Sequence, residues 1–135
     1  MKIVADDKIP FLKGVLEPFA EVLYLPGDKI KKAQLKDAGA LLTRSITQCN
    51  SELLEGTSVK LISSATIGDD HIDKEFCKRN NIKLTTAQGC NANAVVQYFT
   101  SALLSVSKLS GLTLKDKTIG IIGVGNIGSK IEKVC

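Results

Sequence analysis

Residues near the end of the chain have the spacing of a phosphate-binding turn. The stretch from Gly123 to Gly128 reads "GVGNIG" and matches the pattern G-x-G-x-x-G. In this pattern the first glycine permits a tight turn, the second (Gly125) lets a pyrophosphate approach the backbone, and the third permits close helix–strand packing. The N–H groups around Asn126 and Ile127 would face the phosphates at a helix N-terminus. These residues are predicted to bind a dinucleotide, and a glycine turn without a ligand is the alternative.

A second group of polar residues follows two predicted strands. Arg44 and Ser45 end the stretch "LLTRS", and Thr66, Ile67 and Gly68 follow "VKLISSA". The carboxyl ends of parallel strands share one edge of a sheet, and ligands bind outside that edge. A guanidinium can hold phosphate or carboxylate, hydroxyls can donate to oxygens, and backbone N–H groups freed by Gly68 can cradle an anion. Taken singly, each hydroxyl is better explained as a loop or capping group. The shared edge favours a substrate site, in which Ser45 and Thr66 lie close enough to share one phosphate or sulfate.

The only histidine is not predicted to do chemistry. His71 is interpreted as a surface residue at the start of a helix near 70–80. Asp69, Asp70 and Asp73 are expected in the first turn of that helix, where negative charge favours the helix dipole. Their spacing offers too few ligands for a metal site.

Composition excludes several classes of protein. The net charge is +4 and the lysines are scattered, so no basic stretch interleaved with aromatics predicts nucleic-acid binding. No apolar run has the length of a membrane span, and the N-terminus is not a signal peptide. Unpaired thiols without a Cys-x-x-Cys pair favour neither a zinc site nor a secreted disulfide framework, and they predict a cytoplasmic location. The four cysteines are Cys49, Cys77, Cys90 and Cys135.

The chain alternates β-rich runs with helical stretches, which predicts an α/β fold with a doubly wound parallel sheet. Strands are predicted at 2–6, 21–25, 40–44, 59–65, 82–86 and 118–122. Helices or helical turns are predicted near 10–20, 31–38, 51–55 and 70–80. A longer helix follows "GCN", with Asn91 or Asn93 as its N-cap and Gly111 as its stop. Its apolar stripe consists of Val95, Phe99, Ala102, Leu103, Val106 and Leu109.

Four blocks of this sequence resemble the N-terminal part of the D-2-hydroxyacid dehydrogenase family. They are "LLTRSIT" at 41–47, "ATIGDDHID" at 65–73, "GCNANAVVQY" at 89–98 and "TIGIIGVGNIG" at 118–128. The resemblance implies a flavodoxin-like substrate lobe over 1–90, a crossover helix over 91–111, and the first strand and turn of a Rossmann NAD-binding domain over 112–135. It also implies NAD as cofactor and a phosphorylated hydroxy-acid substrate that is oxidised to its 2-oxo acid. The strand predicted at 118–122 has no partner strands in this chain, so it is expected to be disordered, packed on another copy or paired with a neighbour's strand, and the expected assembly is a homodimer.

The resemblance assigns roles to particular residues. Thr66 stands where many relatives have Gly, and it resembles a branch of the family in which residues matching Ser45 and Thr66 bind the substrate. Residues matching Asn126 and Ile127 contact the NAD pyrophosphate in that branch. Two positions depart from the family pattern, because Gln88 replaces a usual Pro and Gln97 a usual Glu.

No residue of this chain matches the catalytic Arg, Glu and His of the family, and His71 does not match that histidine. The acidic residue that holds the adenine ribose is unmatched as well. Family members continue well beyond this length, so the chain is expected to be a fragment that is inactive alone.

Three alternatives remain open from the sequence. One is another member of the same family, such as a phosphoglycerate-type dehydrogenase. Another is a receiver-like signalling domain, which the pair Asp6 and Asp7 after the first strand would suit. The third is a non-enzymatic binding module.

The receiver-like alternative gives a direct test. Such a domain needs a phosphoacceptor Asp after its third strand, whereas this chain has Arg44 and Ser45 there. We expect no phosphate incorporation when the chain is incubated with Mg²⁺ and a small-molecule phosphodonor, as measured by intact mass. Phosphate that is incorporated in the wild type and lost in Asp6→Asn or Asp7→Asn would contradict the expectation.

Overall fold

The computed structural model describes residues 1–135 and divides the chain into two compact units. The first unit is Met1–Ala87 and the second is Gln88–Cys135. All the strands belong to the first unit, and the two longest helices belong to the second. No helix is both long and apolar enough to cross a membrane.

The first unit is built on a five-stranded sheet in which every paired neighbour is parallel. Its strands are β1 Lys2–Asp6, β2 Glu21–Leu25, β3 Ala38–Thr43, β4 Leu61–Ser64 and β5 Lys83–Thr86. Their order across the sheet is β2-β1-β3-β4-β5. This is the flavodoxin-like order, whose direction of winding reverses between β1 and β3. The predicted α/β class and parallel sheet are confirmed.

One row of apolar side chains crosses the whole sheet. Val4 pairs with Leu41, and Leu41 pairs with Ile62, all fully buried at 0% exposure. Leu23 and Leu84 extend the row on the outer strands and pack against the same core. Burial of an aliphatic side chain contributes roughly 1.5–3 kcal/mol, so this row anchors the sheet.

Short helices cover the sheet of the first unit. They are α1 Lys32–Leu35, α2 Ser51–Leu54 and α3 Lys74–Arg79, with a 3-10 turn at Gly27–Lys29. The side chains that these helices bury are Leu35, Leu54, Phe76 and Cys77. The stretch 10–20 forms hydrogen-bonded turns and not a helix. This agrees with the prediction, which included helical turns.

The start of α3 corrects one prediction. Asp73 is the N-cap and accepts a hydrogen bond from the Phe76 N–H at 2.9 Å, so the helix begins at Lys74. Asp69 and Asp70 therefore lie in the preceding loop and not in the first turn of the helix. An Asp side chain readily accepts hydrogen bonds from the free N–H groups of a first helical turn. This explains why α3 begins directly after Asp73, the last of the three acidic residues.

The second unit contains two helices, α4 Ala92–Ser110 and α5 Gly128–Val134. The long predicted helix is confirmed as α4. Asn91 occupies the N-cap position, although its side chain makes no capping hydrogen bond. Gly111 ends the helix in the left-handed conformation with φ +66°, as its position predicted.

The sixth predicted strand is wrong. Residues 118–122 are not a strand, and they take part in no strand pairing. Ile122 is fully exposed, and Ile119 is 38% exposed. A parallel strand satisfies its backbone only through neighbouring strands, and the second unit contains none. An apolar run by itself is therefore insufficient for a strand.

The central row makes a quantitative prediction about stability. Leu41→Ala should lower the free energy of unfolding by about 2–5 kcal/mol, because the residue is fully buried between two strands. Leu109→Ala is the control, since that side chain is 88% exposed, and it should change stability by about 0.5 kcal/mol or less. Urea unfolding followed by circular dichroism would measure both. A loss below about 1 kcal/mol for Leu41→Ala would contradict the assigned register.

Candidate functional site

A pocket of about 380 Å³ lies beyond the carboxyl ends of β3 and β4. Its walls are formed by Ser45, Gln48, Thr66, Gly68, Asp70 and His71. The structure thus brings together three of the five predicted substrate residues, namely Ser45, Thr66 and Gly68. Arg44 and Ile67 do not line it, although each adjoins a residue that does.

The sheet register explains why Ser45 and Thr66 line the same pocket. Thr43 ends β3 and pairs with Ser64, the last residue of β4. Ser45 lies two residues after Thr43, and Thr66 lies two residues after Ser64. The two segments therefore leave the sheet side by side. The Ala65 N–H donates to the Thr43 carbonyl at 2.8 Å and continues the pairing one residue past β4.

A line of hydrogen bonds runs from the interior to the pocket. The imidazole Nε2 of His71 lies 3.4 Å from the hydroxyl oxygen of Ser64. The Ser64 and Thr66 hydroxyl oxygens are 2.7 Å apart, and the Thr66 hydroxyl donates to the Gly68 carbonyl at 3.1 Å. The orientation of Thr66 is therefore coupled to buried groups.

The surface position predicted for His71 is wrong. The residue is only 8% exposed, and burial lowers the pKa of its imidazole, while the carboxylates of Asp69 and Asp70 oppose that shift. The cause is a backbone contact that sequence reasoning missed. The Cys49 N–H donates to the His71 carbonyl at 2.8 Å, and the Asp73 N–H donates to the Cys49 carbonyl at 3.0 Å. This bridge holds the segment against the sheet.

The backbone at Ile67 and Gly68 is available to a ligand. Neither N–H group takes part in the backbone hydrogen bonds of the loop. The φ of Gly68 is not in the left-handed region, so its backbone conformation does not require glycine. A Cβ there would meet only the Asp70 Oδ2 atom, at an ordinary 3.8 Å. Gly68 adds no side chain to the pocket wall, and the turn itself does not require a glycine.

Charge is distributed unevenly around this pocket. Asp70 is the only acidic or basic side chain among the lining residues, apart from the imidazole of His71. The neighbouring carboxylate of Asp69 is paired with Lys74 at 2.9 Å. Arg44 is half-buried and takes part in none of the ion pairs. The lining residues include no Lys or Arg, so an anion in this pocket would depend on hydroxyl and N–H groups for hydrogen bonds.

A larger cavity of about 720 Å³ lies over the 3-10 turn and the loop that precedes α2. It contains none of the predicted site residues. Thr47 lines it and donates to the Gly27 carbonyl at 3.0 Å. Asp6 is buried nearby, and a Cβ on Gly27 would approach its Oδ2 atom to 2.6 Å. That oxygen has no hydrogen-bond partner.

The cysteines are poor candidates for nucleophiles. Cys49 and Cys77 are buried, Cys90 and Cys135 are exposed, and all four are free thiols. Burial raises the pKa of Cys49 to about 12, so its thiolate is scarce at neutral pH. Cys49 contributes to the core, between the sheet and the segment that carries His71.

The glycine motif in the second unit has the form of an anion cradle. Gly123 adopts φ +91°, which suits the turn, and a Cβ on the buried Gly128 would collide with the Gly123 carbonyl. A Cβ on Gly125 would meet open space. The first helical hydrogen bond runs from the Ser129 N–H to the Gly125 carbonyl at 3.1 Å, so the N–H groups of Asn126 and Ile127 remain outside the backbone hydrogen bonds. These residues fit a pyrophosphate.

Comparison with known proteins identifies the family of this chain. The sequence matches the family described as "D-isomer specific 2-hydroxyacid dehydrogenase, catalytic domain" over residues 4–125. It is 50% identical to erythronate-4-phosphate dehydrogenase of Bacteroides thetaiotaomicron, with 99% of this chain and 39% of that protein covered. It is 45% identical to the Bacteroides fragilis protein of the same name, with the same coverage of 99% and 39%.

A solved structure is similar over nearly the whole chain. It is the NAD+-bound 3-phosphoglycerate dehydrogenase of Entamoeba histolytica, with a TM-score of 0.70 and 28% identity, covering 99% of this chain and 50% of that one. The chain spans about two-fifths of the length of the curated relatives that it matches. Because the family match extends over most of its residues, the chain belongs to the D-isomer specific 2-hydroxyacid dehydrogenase family.

Proposed function

We propose that this chain supplies the substrate pocket and part of the cofactor site of an NAD-dependent dehydrogenase. The reaction is the oxidation of 4-phosphoerythronate to its 2-oxo acid, within pyridoxal phosphate biosynthesis. The observation that supports it most is the meeting of Ser45 and Thr66 in one pocket, in a chain that is 50% identical to a relative named for this substrate.

The substrate is held by complementary groups in this proposal. The hydroxyls of Ser45 and Thr66 donate to oxygens of the substrate, and the free N–H groups of Ile67 and Gly68 add donors from the backbone. The guanidinium of Arg44 binds the carboxylate or the phosphate through two parallel hydrogen bonds. Charge-assisted bonds of this kind are stronger than neutral ones, which offsets the repulsion from the Asp70 carboxylate.

The glycine motif contributes to binding of the cofactor. NAD would supply the hydride acceptor of the reaction. Gly123, Gly125 and Gly128 shape the turn, and the N–H groups of Asn126 and Ile127 would hold the pyrophosphate. His71 is buried with its Nε2 directed at Ser64, so we assign it no proton transfer with the substrate. This chain contributes binding and orientation, and the enzyme is proposed to act as a cytoplasmic homodimer.

A phosphoglycerate-type dehydrogenase is the second candidate, because the similar structure from Entamoeba histolytica has that activity in its name. Both substrates are phosphorylated 2-hydroxy acids, and a shared pocket chemistry would suit either. Higher identity to the erythronate-4-phosphate relatives favours the first candidate. Binding of 4-phosphoerythronate in competition with 3-phosphoglycerate separates the two.

The pocket hydroxyls make a prediction about affinity. Ser45→Ala and Thr66→Val should each weaken binding of 4-phosphoerythronate by about tenfold or more, since each removes a hydrogen bond to a charged group. Ser105→Ala, on the exposed side of α4, is the matched control and should leave the affinity unchanged. Calorimetric or NMR titration would measure all three. Equal affinity for wild type, Ser45→Ala and Thr66→Val would place the substrate elsewhere.

The glycine motif by itself makes a prediction about NAD. This 135-residue chain should bind NAD more weakly than micromolar, because the motif offers contacts to the pyrophosphate and no residue matches the family's ribose-binding acid. A micromolar dissociation constant corresponds to about 8 kcal/mol of binding free energy. No NADH should form with 4-phosphoerythronate, as followed by absorbance. Measurable turnover, or micromolar affinity by calorimetry, would refute this expectation.

A further inference from the structure

Ser64 and His71, which adjoin Thr66, have no role in the proposed function. Ser64 is 2% exposed and His71 is 8% exposed, so both polar side chains lie in the interior. Burial of polar groups is costly unless they are hydrogen-bonded, and here they bond to each other and to Thr66. His71 and Thr66 both line the pocket, and the buried Ser64 hydroxyl lies between them in the line of contacts.

The direction of the protons in this line depends on whether the Thr66 hydroxyl donates to the Gly68 carbonyl or to Ser64, and the bond to Gly68 sets the direction taken here. The Gly68 carbonyl can only accept, so the Thr66 hydroxyl donates its single proton there. Thr66 then accepts in its contact with Ser64, which means that the Ser64 hydroxyl donates to it. In this arrangement Ser64 has no second proton, so the Nε2 of His71 is the donor in the 3.4 Å contact between them.

We infer that His71 and Ser64 are positioning residues that direct the Thr66 hydroxyl proton toward the pocket, where Thr66 donates to an oxyanion of the substrate. This inference rests on the proposed substrate role of Thr66. The imidazole carries its proton on Nε2, and the three side chains donate in one direction, from the interior outward.

The opposite direction would disable the site. If Nε2 carried no proton, it would accept from Ser64, and Ser64 would accept from Thr66. The Thr66 hydroxyl would then present only lone pairs to the pocket, and lone pairs repel an oxyanion. In the inferred direction an entering oxyanion replaces the Gly68 carbonyl as the acceptor, while the bonds behind Thr66 stay in place. A chain of donors in a medium of low dielectric also polarises its last member, which strengthens the outward bond.

The alternative role for His71 is to fill space in the core. Its backbone is fixed by the bridge between Cys49 and Ile72, and the ring is buried, so it could act by volume alone. The two roles differ in whether the effect of His71 passes through the Thr66 hydroxyl. A space-filling residue affects binding with or without that hydroxyl.

A double-mutant cycle separates these roles, with NMR titration of the 135-residue chain by 4-phosphoerythronate as the measurement. His71→Leu should weaken binding by about three- to tenfold, as expected for one hydrogen bond. His71→Gln, which offers an N–H near the position of Nε2, should restore the affinity to within about twofold of wild type. In the Thr66→Val background, His71→Leu should cause no further loss. Ser64→Ala should behave like His71→Leu, and its neighbour Ser63→Ala is the matched control, since Ser63 makes no side-chain hydrogen bond.

The tautomer of His71 gives a readout that does not require a ligand or a variant. Nitrogen-15 NMR of the wild-type imidazole at neutral pH should show the proton on Nε2. A proton on Nδ1 alone, or an equal loss from His71→Leu with and without the Thr66 hydroxyl, would overturn the inference. Failure of the proposed function would look different, because Ser45→Ala and Thr66→Val would then leave binding unchanged while the Nε2 proton was still observed.

Discussion

The register between β1, β3 and β4 is the constraint on which the rest of the first unit depends. It aligns Val4, Leu41 and Ile62 in a fully buried row, and the same pairing two residues later brings Thr43 beside Ser64. Side chains alternate between the two faces of a sheet, so a shift by one residue would exchange buried and exposed positions along a strand. The hydrophobic row therefore holds the polar edge in place, and the pocket is a consequence of core packing.

Polar groups at this edge are buried in two different ways. Ser64 and His71 satisfy each other, and their bonds lead to Thr66 at the pocket. Asp6, at the end of β1, receives the Lys8 N–H on one carboxylate oxygen and leaves Oδ2 without a partner. A satisfied network stabilises one arrangement of side chains, whereas an unpaired buried oxygen costs free energy. The buried polar groups around Ser64 are thus more completely hydrogen-bonded than the carboxylate of Asp6.

In the second unit the glycine turn forms from local backbone conformation. The glycine turn and the start of α5 form without a paired strand before them. Glycine confers this shape through its own backbone freedom and its lack of a Cβ, as the collision predicted at Gly128 indicates. The apolar run at 118–122 depends on neighbouring strands, and it stays unpaired within this unit.

Local pattern alone determined the parallel sheet, the long helix α4 with its stop at Gly111, the glycine turn, and the shared edge of Ser45 and Thr66. Each of these depends on backbone propensity, periodicity or chain order, which a linear sequence displays directly. Tertiary structure decided the burial of His71, the placement of Gln48 and Asp70 in the pocket, and the loss of the strand at 118–122. His71 is held inward by a bridge to Cys49, a residue 22 positions earlier in the chain. Contacts between residues so far apart in sequence leave no periodic signal, and only the packed sheet brings them together.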